Sequence, residues 1–214
     1  MTHSFDKEYW DDIWHGDRAA SMGAGQTNPH LIREVSHLKP GTALEAGCGA
    51  GAEAIWLAQS GWQVTAADVA ADALAIASER AAASGVAERV EWVEADLSVW
   101  EPHAQYDLVT THYAHPAMPQ LEFYDRLATW VAPAGTLLIV GHLHPEHHGS
   151  GTGHGHGDDV PPASASATAG GITARLDPAS WGIETAQAAD RTVTGPGGHE
   201  TVIHDVVVRA RRHT

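Results

Sequence analysis

The stretch TALEAGCGAGAEAIWLAQSG, Thr42 to Gly61, decides how the chain folds. Its first residues alternate towards apolar and read as a strand. Gly47, Gly49 and Gly51 follow at every second position, and a helical period then runs to Gly61, a C-terminal stop. Strand, glycine loop and helix in that order let the backbone turn tightly and approach a ligand with no Cβ in the way. Alone, this loop does not separate one nucleotide-type ligand from another. A dinucleotide fingerprint expects Gly-x-Gly-x-x-Gly, and Ala52, three residues after Gly49, is a tolerated variant of it.

Outward from the loop the pattern alternates. WQVTAADV (62–69) reads as a second strand and ADALAIASERAAASG (71–85) as a helix closed by Gly85. RVEWVEADL (89–97) and YDLVTTHY (106–113) read as strands three and four. PQLEFYDRLATWVAPAG (119–135) reads as a helix and TLLIVGH (136–142) as a buried fifth strand. Strands separated by single helices predict parallel pairing with right-handed crossovers. WGIETAQAADRTV and ETVIHDVVVRARR, joined by TGPGGH, predict a closing antiparallel hairpin after a poor helix at 166–176. The expected fold is therefore α/β: a doubly wound, mostly parallel seven-stranded sheet with a C-terminal antiparallel hairpin. Before it, SFDKEYWDDIWHG predicts an amphipathic helix capped by Ser4, and NPHLIREVSHLKPG a helix with Asn28 as N-cap and Pro29 at its first position.

Composition narrows the partners. The chain has 214 residues, 43% apolar, with a formal charge of −15 and a single cysteine. That length suits one domain, divided into an N-terminal helical cap (1–40), a ligand-binding core (41–142), a mobile His/Gly-rich loop (143–162) and a C-terminal helix with hairpin (163–214). The acidic balance disfavours nucleic acid as partner, since phosphate binders carry a basic face. No apolar run approaches the length that spans a bilayer, and no secretory leader is recognised, so a soluble cytoplasmic protein is expected. Cys48 sits inside the glycine loop and reads as a packing residue, because a reactive thiol needs an activating partner.

Three positions fall at carboxyl ends of successive strands, where open α/β sheets bind ligands: Asp68, Asp96 and the pair Thr111–His112. Asp68 stands where an acid accepts hydrogen bonds from ribose hydroxyls. With these acids in register, ALEAGCGAGAEAIWLA, VTAADV, VEADL and YDLVTTHY resemble the successive motifs of class I S-adenosylmethionine-dependent methyltransferases, over roughly Thr42 to His142. YWDDIWHG and NPHLIREV are similar to the opening of small-molecule methyltransferases of the thiopurine and tellurite-resistance type. The resemblance implies S-adenosyl-L-methionine as cofactor and a small-molecule methyl acceptor. It places Glu45 near the cofactor's methionine amino group, Gly47 and Gly49 along its path, Asp68 on the ribose and Val69 against the adenine. Asp96 would meet the adenine amino group, Leu97 would pack on the ring, and the Thr111 backbone would serve the methionine end. Trp10 and Trp14 would cover the methionine part, where aromatic faces attract a sulfonium.

Methyl transfer from a sulfonium is an in-line displacement that gains most from alignment. A protic acceptor gains from a base, and histidine suits this near neutral pH. The candidates on the carboxyl edge are His112, Tyr113, His115, His142 and His144. THYAHP lacks the Asn/Asp-Pro-Pro-Tyr pattern, which favours a small molecule over DNA. GHLHPEHHGSGTGHGHGDDVPP (141–162) holds six histidines, of which His142 and His144 would reach the acceptor, and its glycine-rich middle reads as mobile rather than as a preorganised metal site. No metal site is predicted. Two rivals stay open: a metal-assisted enzyme using loop histidines with Asp158 or Asp159, and a non-catalytic cofactor- or metal-binding protein, which fold alone does not exclude.

Overall fold

The computed structural model describes residues 5–15, 25–143, 167–194 and 200–214. Seven strands form one sheet in the order β3-β2-β1-β4-β5-β7-β6. Strands β1 (Thr42–Ala46), β2 (Gln63–Asp68), β3 (Val90–Glu94), β4 (Tyr106–His112) and β5 (Val131–His142) run parallel. β7 (Glu200–Arg212) lies antiparallel to β5, and β6 (Trp181–Thr194) antiparallel to β7. The chain reverses its winding between β1 and β4, and a doubly wound sheet opens its ligand crevice at that switch point.

Alternation along each strand builds two cores. Ala43, Val64, Leu108, Leu138 and Val207 face α2 (Pro29–Val35), α3 (Ala52–Gln59) and α4 (Ala71–Ala83). Leu44, Ala67, Val109, Leu137 and Val208 face α5 (Gln120–Thr129) and α6 (Ala169–Thr173). β1 is buried at every position after Thr42, as a central parallel strand covered on both faces must be.

Two local expectations are corrected. The segment Val131–Gly135 does not continue α5 but opens β5. Pro133 has no amide for a helical bond, Ala134 adopts φ +63°, and the register slips between Tyr106 and Leu108, so these residues enter the sheet through an irregularity. In α1 (Lys7–His15) the cap is supplied by Asp6, whose Oδ1 accepts the Tyr9 amide at 3.0 Å, while Ser4 lies outside the described residues. Asn28 caps α2 as expected, accepting from the His30 amide at 2.9 Å.

Candidate active site

A cavity of about 900 Å³ opens at the carboxyl ends of β1, β2, β3 and β4, and it is the size of pockets that hold cofactors and small substrates together. Its floor is the turn after β1. Gly47, Gly49 and Gly51 all have positive φ, and the Gly47 and Cys48 amides bond back to the Ala67 carbonyl. Trp14 rests on this turn: a Cβ at Gly49 would stand 3.2 Å from its ring. Cys48 is buried there, and burial with the nearby Asp68 and Glu45 carboxylates pushes its thiol well above the ordinary range, so it is a packing group.

Asp68, at the end of β2, turns its carboxylate onto the loop. Oδ2 accepts the Gly49 amide at 2.8 Å and Oδ1 the Ala70 amide at 3.0 Å. Burial raises its pKa, and these amides oppose the rise. A carboxylate offers about four lone-pair sites, so Asp68 keeps acceptor capacity for a hydroxyl donor in the cavity. Asp96 follows β3 by two residues and closes a turn by accepting from the Ser98 amide and hydroxyl. Val69, Asp96 and the buried Leu97 line the cavity with Asp68.

α1 lies along the rim. Trp14 is buried, and Trp10 lines the cavity and donates its indole N–H to the His115 carbonyl at 3.2 Å. Lys7 fastens the helix from the other end, donating to the Val69 carbonyl at 2.9 Å and to Glu94 at 3.0 Å. Arg80 of α4 bridges the Ala50 carbonyl (2.8 Å) and the Gly25 carbonyl (3.0 Å), drawing the segment before α2 onto the glycine turn.

Beyond the β4 end the wall becomes polar and aromatic. His112 lines the cavity, and Nδ1 meets Glu45 Oε1 at 3.0 Å. Glu45 has no exposure at all and stands behind His112, not on the cavity wall. Burial pushes the Glu45 carboxyl up, partly offset by His112. Burial works against charge on His112, but Glu45 more than offsets it and the imidazole pKa rises. The two groups titrate as a pair, and among the described residues His112 Nε2 and Glu45 Oε2 have no hydrogen-bond partner. Tyr113 follows at φ +58°, unusual for an aromatic residue. His142 stacks on it with ring centroids 4.2 Å apart, so His142 backs Tyr113 instead of lining the cavity.

The structure thus gathers Trp10, Trp14, Gly47, Gly49, Asp68, Val69, Asp96, Leu97, His112, Tyr113 and His115 around one cavity. Glu45, Thr111 and His142 sit behind the wall, with the Thr111 hydroxyl donating to the Ala46 carbonyl. His144, the other loop histidines, Asp158 and Asp159 lie outside the described residues. Among the described residues no group of three or more His, Cys, Asp or Glu is placed to hold a metal ion. Sequence reading missed Asn28, His30, Arg191 and Asp205, which join Tyr113 in one network. The signal was Asp205 itself, a lone carboxylate within the apolar run VIHDVVV.

The sheet order, with β7 reversed between β5 and β6, is the fold of class I S-adenosylmethionine-dependent methyltransferases. Residues 43–135, from β1 to the start of β5, match the family model described as a methyltransferase domain. Over 103 residues the chain is 31% identical to thiocyanate methyltransferase 1 of Arabidopsis thaliana, covering 47% of this chain and 44% of that protein. The first curated relatives it matches, a ribosomal RNA methyltransferase among them, are each spanned over less than half their length. A solved structure from work on the conversion of a disulfide bond into a thioacetal group during echinomycin biosynthesis shares the fold at TM-score 0.70 and 21% identity, covering 97% of this chain and 91% of that one. TehB from Haemophilus influenzae shares it at TM-score 0.66 and 14% identity, over 97% of this chain and 67% of that one.

Proposed function

We propose that this protein transfers a methyl group from S-adenosyl-L-methionine to a small molecule. One observation carries the reading: a single cavity joins the glycine turn, Asp68, Asp96 and Leu97 at the ends of β1, β2 and β3 beneath two tryptophans of α1. These residues fit the cofactor. The unfilled acceptor sites of Asp68 suit ribose hydroxyls, Val69 and Leu97 suit the faces of a flat base, and Trp10 and Trp14 suit a sulfonium. When bound, the cofactor supplies an electrophilic methyl that a nucleophile takes in line as the carbon–sulfur bond breaks, leaving a neutral thioether.

The residues of this chain do the rest. α1 closes over the cavity and excludes water, and the glycine turn holds the long ligand close to the backbone. On the far side His112, Tyr113, His115 and Arg191 form the acceptor wall. With Nδ1 engaged by Glu45, His112 is held in one orientation, as a base or a hydrogen-bond partner must be. The chain's charge of −15 and the name of the Arabidopsis relative support a small acceptor, one with a soft nucleophilic atom such as sulfur, over nucleic acid.

Calorimetry with S-adenosylmethionine and S-adenosylhomocysteine, followed by a labelled-methyl screen of thiols, phenols and heterocycles, tests this. Tight binding with transfer to at least one acceptor is expected. No binding of either nucleoside sinks the proposal, and tight binding without turnover across the panel turns it towards a non-catalytic binder. Transfer that stops on exhaustive chelation transfers the weight to a metal-assisted reaction.

A further inference from the structure

Asp205, in the middle of β7, has no solvent exposure, yet it is the hub of a network drawn from four distant parts of the chain. Its Oδ1 accepts the Tyr113 hydroxyl at 3.0 Å. Its Oδ2 meets Arg191 Nε at 2.7 Å and His30 Nε2 at 3.0 Å. Asn28 Nδ2 and Arg191 Nη2 donate to the Tyr113 oxygen at 2.9 and 3.0 Å, and the guanidinium lies 5.5 Å from the Tyr113 ring centre. Nε and Nη2 of Arg191 are therefore both fixed, and Nη1 is left with no hydrogen-bond partner among the described residues. Arg191 lines the cavity, and its side chain keeps 23% exposure against none for Asp205.

A buried ion pair seldom gains stability over an apolar replacement, so its value is the geometry it imposes. Here the imposed geometry belongs to the cavity. Tyr113 is kept at φ +58°, a conformation that persists only where its surroundings over-determine it. Strand order also grades the charge: Asp68 and Asp96 sit at the β2 and β3 ends, while Arg191 enters from β6 at the opposite side of the sheet. We infer that Asp205 is a positioning residue for the acceptor: it pins Tyr113 and Arg191 so that guanidinium Nη1 meets the electron-rich or anionic end of the incoming nucleophile. This inference rests on the methyltransferase reading above and gives its acceptor side a charge preference.

The test uses the full chain saturated with S-adenosylhomocysteine, titrated by calorimetry with thiocyanate as an anionic probe and with 2-mercaptoethanol as a neutral one. Wild type binds thiocyanate in preference to the neutral thiol. In Asp205→Asn, thiocyanate binding weakens by about tenfold or more, while the Kd for S-adenosylhomocysteine stays within about twofold. Arg191→Lys keeps the charge but loses the fixed fork, so it also weakens thiocyanate and spares the nucleoside. Nucleoside binding that falls in step with thiocyanate binding reduces Asp205 to a structural role and overturns the inference. So does wild-type affinity for thiocyanate in Asp205→Asn, or no thiocyanate preference in wild type. Should Asp205→Asn not fold, Tyr113→Phe and Arg191→Gln carry the same expectation, and undiminished thiocyanate binding in both refutes it. Failure of wild type to bind S-adenosylhomocysteine shows in the first titration, and there the methyltransferase reading fails and the inference falls with it.

Discussion

Replacing Gly51 by alanine separates two costs that the glycine turn imposes. Gly51 sits at φ +76°, ψ 19°, the left-handed region, as the N-cap of α3. An L-residue there costs roughly 1–2 kcal/mol from Cβ crowding its own carbonyl. The new Cβ would also stand 2.7 Å from Trp92 Cη2 and 2.9 Å from Ala77 Cβ. Ala77 is fully buried on α4 and has no freedom to yield, so overpacking adds about 1–3 kcal/mol. The sum, about 2–5 kcal/mol, lowers Tm by roughly 4–20 °C for a chain of this length. Gly85 is the control. Its φ is +72°, but a Cβ there meets nothing within 4 Å, so Gly85→Ala carries only the roughly 1–2 kcal/mol backbone cost. Paired urea and thermal unfolding with unchanged m-values measures both variants. Equal losses for the two would mean that Trp92 and Ala77 do not confine the turn, and a neutral Gly51→Ala would refute the left-handed geometry itself.

The remaining predictions follow from the buried titratable groups and from α1. Burial pushes the phenols of Tyr113 and Tyr124 up to about 12, aided at Tyr113 by the Asp205 charge. The unfolded chain releases these protons near pH 10 and the folded chain near 12, so stability is intact below pH 10 and declines between 10 and 12, by up to about 2.7 kcal/mol per tyrosine. Tm measured from pH 9 to 12 shows the decline, and Tyr124→Phe flattens it; an unchanged profile in that variant counts against the assignment. Glu45→Gln removes the charge that raises His112, so the imidazole pKa falls, as NMR titration of the ring reads; a pKa that holds or rises contradicts that coupling. Lys7→Met frees one end of α1. Because Lys7 is half-exposed, its ion pair is worth about 1 kcal/mol or less, so Tm changes little while S-adenosylhomocysteine dissociates faster. An off-rate equal to wild type would show that Trp14 alone seats the helix.

The part of the site that reads from sequence is the part built by local order. Gly47, Gly49, Asp68 and Asp96 each stand at or just past the end of a strand, and a βαβ unit delivers that end to the same edge, so alternation alone brings them together. Val131–Gly135 misled because a helix that has just ended and a strand that opens irregularly carry the same apolar residues, and only the pairing with β4 selects the strand. The network behind Tyr113 was illegible for a different reason. His30 and Asp205 are 175 residues apart, and Arg191 reaches Asp205 only as its diagonal neighbour across the β6–β7 ladder, where Ala189 stands directly opposite Asp205. A period-two pattern gives the face of each residue but not its register, and one step of slip would put Arg191 on the other face. Glu45 shows the same limit at shorter range. Its place before the glycine turn reads as ligand contact, but its carboxylate points into a core whose nearest donor, His112, belongs to the neighbouring strand. The carboxylate lies behind the cavity wall and holds His112, a placement that depends on the pairing of two strands and not on the local motif.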